Sequence, residues 1–186
     1  MQKKVQNIAT IRSGAYIKGE PEGEVCYLQV NDYNKTENRF FLPKPSLELN
    51  AKTQKHLLLE GDIVLAAKGT SNFCVVFHEE MGKAVASSSF LVISIIDNSI
   101  ISPDYLCWFL NREDTLAFFK ANAVGSAMPS ISKTLIEEYE ISIPHIQIQK
   151  KIVEISRLQQ QEQWLYRRIS VLRSHLTQQQ LIKIIK

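Results

Sequence analysis

Hydrophobic positions follow two rhythms along the chain, and the change between them falls at Pro144. Before it, apolar residues come in short runs bounded by Gly, Pro, Asn and Asp. After it, they recur at the three–four spacing of an amphipathic helix. Residues 140–143 alternate polar and apolar, as a half-buried strand does. Pro144 pushes the residue before it into an extended conformation and is tolerated in a first helical turn, so it marks the switch from sheet to helix. From Ile148 onward there is neither Pro nor Gly. Ile148, Ile155, Ile169 and Leu176 share one seam, and Leu158, Leu165 and Leu172 form its companion, the stripe of a coiled coil. At about 1.5 Å per residue such a helix runs roughly 60 Å, too long for the core of the small domain before it. The pattern predicts a spacer or docking rail over 145–186 that pairs antiparallel with a second copy. Its dimerisation seam is Ile155, Leu158, Leu165, Ile169, Leu172 and Leu176.

The short-period pattern upstream predicts a mixed-sheet α+β domain over 1–144. Residues 25–30 (Val-Cys-Tyr-Leu-Gln-Val) read as one strand, rich in β-branched and aromatic residues. Residues 40–42 form a short strand ended by Pro43 and Pro45. Gly61-Asp62 predicts a tight turn into a strand over 63–67, which pairs as a hairpin with 73–77. Residues 86–96 predict a single strand, and 97–99 its turn. Arg12-Ser13-Gly14 reads as a turn, and 20–24 (Glu-Pro-Glu-Gly-Glu) as an acidic, breaker-rich loop. Ser102-Pro103-Asp104 is a helix start: a hydroxyl cap, Pro in the first turn, an acid near the positive end. Tyr105, Leu106, Phe109, Leu110 and Phe118 fall on one face of the helix that follows. Residues 122–129 are a breaker-rich loop, 132–137 a short helix and 139–143 the last strand.

Composition narrows the classes. The 186 residues suit one domain with an appendage, and 45% hydrophobic residues are enough for a real core. No apolar run approaches the ~20 residues needed to span a bilayer, which argues against a membrane protein. Cys26, Cys74 and Cys107 are odd in number and scattered, as expected of buried reduced thiols in a cytoplasmic protein. The net charge of +3 hides a division: residues 1–44 sum to +2, 45–144 to −5 and 145–186 to +6. The helix is the basic element, suited to a polyanion or an acidic partner surface.

A catalytic constellation is not found. His56, His78, His145 and His175 have no spacing that sets two beside a carboxylate or thiolate on one helix face, so no metal site is predicted. Ser87-Ser88-Ser89 lacks the Gly-x-Ser-x-Gly elbow. There is no phosphate-binding Gly-x-x-x-x-Gly-Lys loop, no Asn/Asp-Pro-Pro-aromatic signature of amino-methyltransferases, and no acid-x-Lys after Pro103-Asp104. A non-catalytic chain without a cofactor is expected. Binding chemistry is better represented. Polar tips at Asn31, Tyr33 and Lys35, at Lys68, Gly69, Thr70, Ser71 and Asn72, and at Gly125 with Ser126 combine residue types that suit double-stranded DNA. Asn pairs with adenine, Lys reaches guanine or phosphate, and Gly with Ser brings backbone amides to phosphate oxygens. Arg12 with Lys18 is a fourth candidate. Each tip alone also reads as an ordinary turn. On the helix, Glu162 and Gln179 interrupt the seam and help to set its register, while Trp164, Tyr166, Ile182 and Ile185 lie off it. That is more apolar surface than one dimer contact needs.

The order Gly125, Ile131-Ser132, Leu135, Ile141-Ser142-Ile143-Pro144, Gln149-Lys150-Lys151-Ile152-Val153, followed by a helix, resembles specificity subunits of type I restriction–modification systems. There a target-recognition domain ends in an I-x-I-P…Q-x-x-I-V segment and runs into a spacer helix. Members usually show a second Pro and an acidic residue before the Gln; here His145 and Ile148 stand in those places. Leu59-Glu60-Gly61-Asp62-Ile63-Val64-Leu65 with Lys68-Gly69 is similar to the family's G-D-I-L…G strand, and Ser102-Pro103-Asp104-Tyr105-Leu106 to one of its helix starts. The resemblance implies a DNA-specificity subunit that binds a methyltransferase (modification) subunit and, with it, a restriction subunit. It also implies two recognition domains and two spacer helices in a full-length chain. One of each is present, so the chain looks like a half-subunit completed by a two-fold homodimer, or a piece of a longer chain. The rival reading is a coiled-coil protein-interaction adaptor without DNA specificity.

Overall fold

The computed structural model describes residues 1–18, 22–35, 37 and 39–185. Glu20 and Pro21 of the expected acidic loop lie outside the described residues. Among the described residues ten strands and five α-helices follow in order. The first half holds β1 (Gln2–Lys4), β2 (Ala9–Ser13), β3 (Cys26–Leu28), β4 (Tyr33–Asn34), β5 (Arg39–Phe40) and α1 (Ala51–Gln54). Then come β6 (Ile63–Ala66), β7 (Cys74–Val76), β8 (Ala84–Ala86) and β9 (Phe90–Ile95). The chain ends with α2 (Pro103–Leu110), α3 (Glu113–Ala121), α4 (Lys133–Glu138), β10 (Glu140–Ser142) and α5 (Ile146–Ile185).

The centre is a four-stranded antiparallel sheet in the order β2-β9-β6-β7. β6 explains its place: Ile-Val-Leu-Ala is apolar without alternation, and all four residues are buried. Such a run needs cover on both faces. Ile63 and Leu65 face the helical layer of α2, α3 and α4, whereas Val64 and Ala66 face a second cluster with Leu28, Phe40, Phe73 and Phe90. The hairpin of β6 and β7 forms as the sequence predicts, with Ile63 opposite Val76 and Leu65 opposite Cys74. Asp62, at its start, is 3% exposed. It accepts hydrogen bonds from Arg12 Nη2 at 2.8 Å, from Leu59 N at 3.0 Å and from Ser94 Oγ at 2.5 Å, and so ties β2, β9 and the preceding turn together.

Four expectations are corrected. Arg12 and Ser13 are not a turn but the end of β2, where pairing with β9 continues to Ser13 opposite Leu91. The strand at 25–30 stops at Leu28, because Gln29 and Asp32 bond reciprocally and wind residues 30–32 into a 3₁₀ turn. The run 86–96 is two strands: three serines turn the chain, with Phe90 N bonded to Ser87 O, so that β8 pairs parallel with β3 while β9 enters the central sheet. The helix after Ser102 breaks at Asn111, whose carboxamide donates to Cys74 O and accepts from Cys74 N, both at 2.8 Å. There it stands in for a neighbouring strand and blunts the edge of β7. Phe118 therefore sits in a second helix, 43% exposed, and Phe119 takes the core position. Other readings hold: Ser102 caps α2 through its side chain, the short helix expected at 132–137 forms as α4 with Ser132 as its cap, and all three cysteines are free and buried.

α5 is 40 residues long and begins inside the domain. Ile152 and Val153 pack against the helical core, while Gln149 is fully buried. Its Oε1 accepts from Ser102 N at 3.0 Å, and its Nε2 donates to Ile100 O and to Pro144 O, both at 2.8 Å. From Arg157 to Ile185 every residue is exposed. By helical periodicity, Ile155, Leu158, Leu165, Ile169, Leu172 and Leu176 lie on the side roughly opposite Gln149, Val153 and Ser156. The seam thus points away from the chain's own domain. Among the described residues no helix is long and apolar enough to cross a membrane.

Gln149→Leu keeps the volume and orphans three backbone groups. Chemical denaturation should show a loss of about 2–3 kcal/mol, since a buried polar group left unpaired costs about 1–3 kcal/mol. An unchanged unfolding midpoint would mean that water replaces the carboxamide there.

Candidate nucleic-acid interface

Two of the polar tips meet at one cleft of about 730 Å³. Asn31, Tyr33 and Lys35 line one wall, and Thr70, Ser71 and Asn72 another. Their convergence has an aromatic cause. Tyr33 stacks on Phe73, centroids 3.7 Å apart and planes 10° from parallel, and Phe40 and Phe90 pack edge-on around the pair. The stack clamps the loop before β4 onto the hairpin tip, while Asn31, Lys35, Thr70 and Ser71 stay exposed. Burial, and next the charges of Cys107 and Cys74, push the Tyr33 hydroxyl up to about 12. It is protonated at any physiological pH.

The hairpin tip is held from within. Asn72 Nδ2 donates to Ala66 O at 2.9 Å across the turn, so its amide secures the loop as well as facing the cleft. Gly69 has φ +89, which a side chain rarely adopts. The third tip adjoins this one: Lys68 bridges to Ser130, and Gly69 N donates to Pro129 O at 2.9 Å. Gly125 has φ +110, and a Cβ there would lie 2.8 Å from Met128 O, so Gly125 and Ser126 sit on a tightly folded loop beside Lys68 and Gly69. The fourth candidate separates from the others. The Arg12 guanidinium is engaged with Asp62 and with the carbonyls of His56 and Leu57. Lys18 is exposed, follows a segment packed on Val25, Leu47 and Val85, and does not line the cleft.

The third wall was missed in the sequence: Leu116, Ala117 and Lys120 of α3 complete the cleft. The helical break at Asn111 turns α3 toward the hairpin, and no local pattern announces that. A second, smaller groove of about 400 Å³ lies where α2, β7 and α5 meet, with Trp108, Arg112 and Arg157 on its walls. Among the described residues no cluster of His, Cys, Asp and Glu could hold a metal ion. The Cys107 thiol is pushed up to about 12 by burial and then by Asp104, and Cys74 is raised well above its ordinary value by burial and by Cys107. Neither is a poised nucleophile.

Polar tips are thus gathered on a rigid sheet, and a long helix leaves the same domain. The family of the type I restriction modification DNA specificity domain matches residues 1–161. The chain belongs to that family. Its fold is similar to that of the type I restriction–modification S subunit from M. genitalium, at 13% identity and a TM-score of 0.61 over 85% of this chain and 38% of that one. The HsdS subunit from Thermoanaerobacter tengcongensis matches at 14% identity and a TM-score of 0.57, over 89% of this chain and 38% of that one. A structure described as showing complex assembly and conformational transition of the type I R-M system matches at 14% identity and a TM-score of 0.60, over 96% and 43%. The chain therefore spans 38–43% of the length of these structures. No curated protein matches it.

The raised Tyr33 value has a signed consequence. A tyrosine that ionises at about 12 in the fold and near 10 when unfolded stabilises the fold fully below pH 10. That contribution is lost as pH rises toward 12. Tyr33→Phe should flatten the fall in thermal stability between pH 10 and 12, and should remove one late-titrating tyrosine from the ultraviolet absorbance curve. Identical alkaline profiles for the two proteins would refute the burial argument.

Proposed function

We propose that residues 1–144 read one half-site of a bipartite DNA sequence and that residues 145–186 join two such domains and carry a methyltransferase subunit, with the restriction subunit added to that complex. The observation that supports this best is the meeting of two polar tips, 31–35 and 70–72, at one cleft with Lys35 and Lys120 on its walls, with the loop at 122–129 fastened beside the second tip. Exposed Asn31, Thr70 and Ser71 are suited to base edges. Lys35, Lys68 and Lys120 are suited to phosphates, and their loss should weaken all sequences alike. Arg12 acts through Asp62 as a tie beneath the surface. The acidic balance of 45–144 favours reading a few bases over coating DNA, with partners supplying much of the electrostatic attraction. In this reading methylation and cleavage belong to the partner subunits.

The helix supports the assembly reading. Its seam faces away from its own domain, so an antiparallel partner helix fits without displacing anything. Trp164, Val171 and Ile182 lie on the other side of the helix, roughly opposite that seam, and are 43–56% exposed. Two paired helices would leave this second face uncovered, which suits the methyltransferase subunit. The rival adaptor reading shares the helix but has no use for the cleft.

Mapping methylated sites in cells carrying this gene with its methyltransferase decides the matter. Two inverted copies of a short half-site with a fixed spacer are expected. In the complex, Asn31→Ala should relax discrimination at one base pair by about 1–3 kcal/mol. A continuous target, or sequence preference unaltered by the variant, refutes the half-site reading or the loop assignment respectively. Absence of any sequence preference leaves the adaptor.

The seam is tested separately. Leu165→Asp with Leu172→Asp should yield a monomer by sedimentation with the recognition domain intact, because each buried Leu is worth roughly 1.5–3 kcal/mol. A dimer that survives both changes rules out this pairing face.

A further inference from the structure

From Ala121 to Ser132 the chain has no charged residue, although 22% of all residues are charged. Within this stretch the loop is closed at its base: Val124 N donates to Ser130 O at 3.0 Å, and Ser130 N to Val124 O at 2.9 Å. It is also fastened to its neighbours, with Gly69 N donating to Pro129 O at 2.9 Å and Ile131 N to Ala67 O at 2.8 Å. Yet on this fixed scaffold Val124 is 73% exposed and Met128 is 63% exposed. Apolar side chains held out in water by a rigid loop gain free energy only when something apolar covers them. The loop shares its foot with the 68–72 tip, so a surface that meets one meets the other.

The side chains of Val124 and Met128 offer phosphates neither a charge nor a hydrogen-bond donor. In the major groove of DNA the apolar group it can cover is the C5-methyl of thymine. We propose that Val124 and Met128 form an apolar finger that packs against a thymine methyl in the half-site, an inference that rests on the DNA-reading role proposed above. The finger would select thymine over cytosine at that position by shape and hydrophobicity, beside the hydrogen-bonding selection made by the cleft.

Deoxyuridine keeps the pairing of thymine and lacks only the methyl group, so it isolates this contact. The chain in complex with its methyltransferase subunit is titrated with duplexes carrying the mapped site, each thymine replaced singly by deoxyuridine. One position per half-site should bind about fourfold more weakly, the worth of one buried methyl. Val124→Ala with Met128→Ala should bind the thymine and deoxyuridine duplexes alike at that position. Both side chains are exposed, so the fold survives, as circular dichroism would register. A half-site without thymine, no sensitive position, or a variant that keeps the wild-type difference overturns the proposal. A wild-type complex that does not discriminate its site from an unrelated duplex removes the underlying DNA-reading role instead, and that is a separate result.

Discussion

A single carboxamide sets the relation between the domain and its arm. Gln149 has every hydrogen-bonding direction it needs inside the protein: the amide at the start of α2 and carbonyls before it and before α5. A buried Gln with missing partners would be a liability, and with all of them it fixes orientation as no apolar residue can. The first turns of α5 are consequently part of the domain, and the arm leaves at an angle set by hydrogen bonds rather than by a loop. An arm on a swivel would leave the position of anything seated on it undefined. Held at this joint, a helix of 40 residues transmits position over its whole length.

The recognition surface obeys the same economy. Its loops are irregular, but each is fastened to something regular: Tyr33 to Phe73 by stacking, Asn72 to Ala66 by its amide, residues 129–131 to the ends of the hairpin by backbone bonds. Below them β6, covered on both faces, gives the hairpin a base that cannot shift without opening two clusters of the core. Arg12 and Asp62 close the far end of that strand. The exposed side chains of the tips are thus carried on backbone that is fixed.

Elements with a local cause were legible in the sequence. The hydroxyl cap at Ser102, the short helix from Ser132, the Gly61-Asp62 turn, the change of rhythm at Pro144 and the hairpin all follow from residues within a few positions of each other. What failed to show depends on distant partners. The break at Asn111 exists because Cys74 needs a partner, 37 residues earlier in the chain. Phe118 and Phe119 exchange roles for that reason, and α3 with Lys120 turns into the cleft as a result. Arg12 looked like a surface cation because its partner, Asp62, is 50 residues away. The serine run at 87–89 was read as strand because periodicity does not record that two sheets meet there. Two of the predicted tips were found to share the cleft and a third to adjoin it, but nothing in their spacing says so.

The pairing of β1 with β10 carries a consequence for the order of events during synthesis. Gln2 lies opposite Ser142, and Lys4 opposite Glu140. During synthesis β1 therefore waits for β10, the last of the described strands, before it has a strand neighbour. Contacts this remote in sequence make folding slow, because a long loop must close before they form. The recognition domain is completed only as the arm starts to emerge. The exposed apolar face of α5 thus emerges only when the domain that holds its first turns is nearly finished, which shortens the time that face spends attached to an unfolded chain.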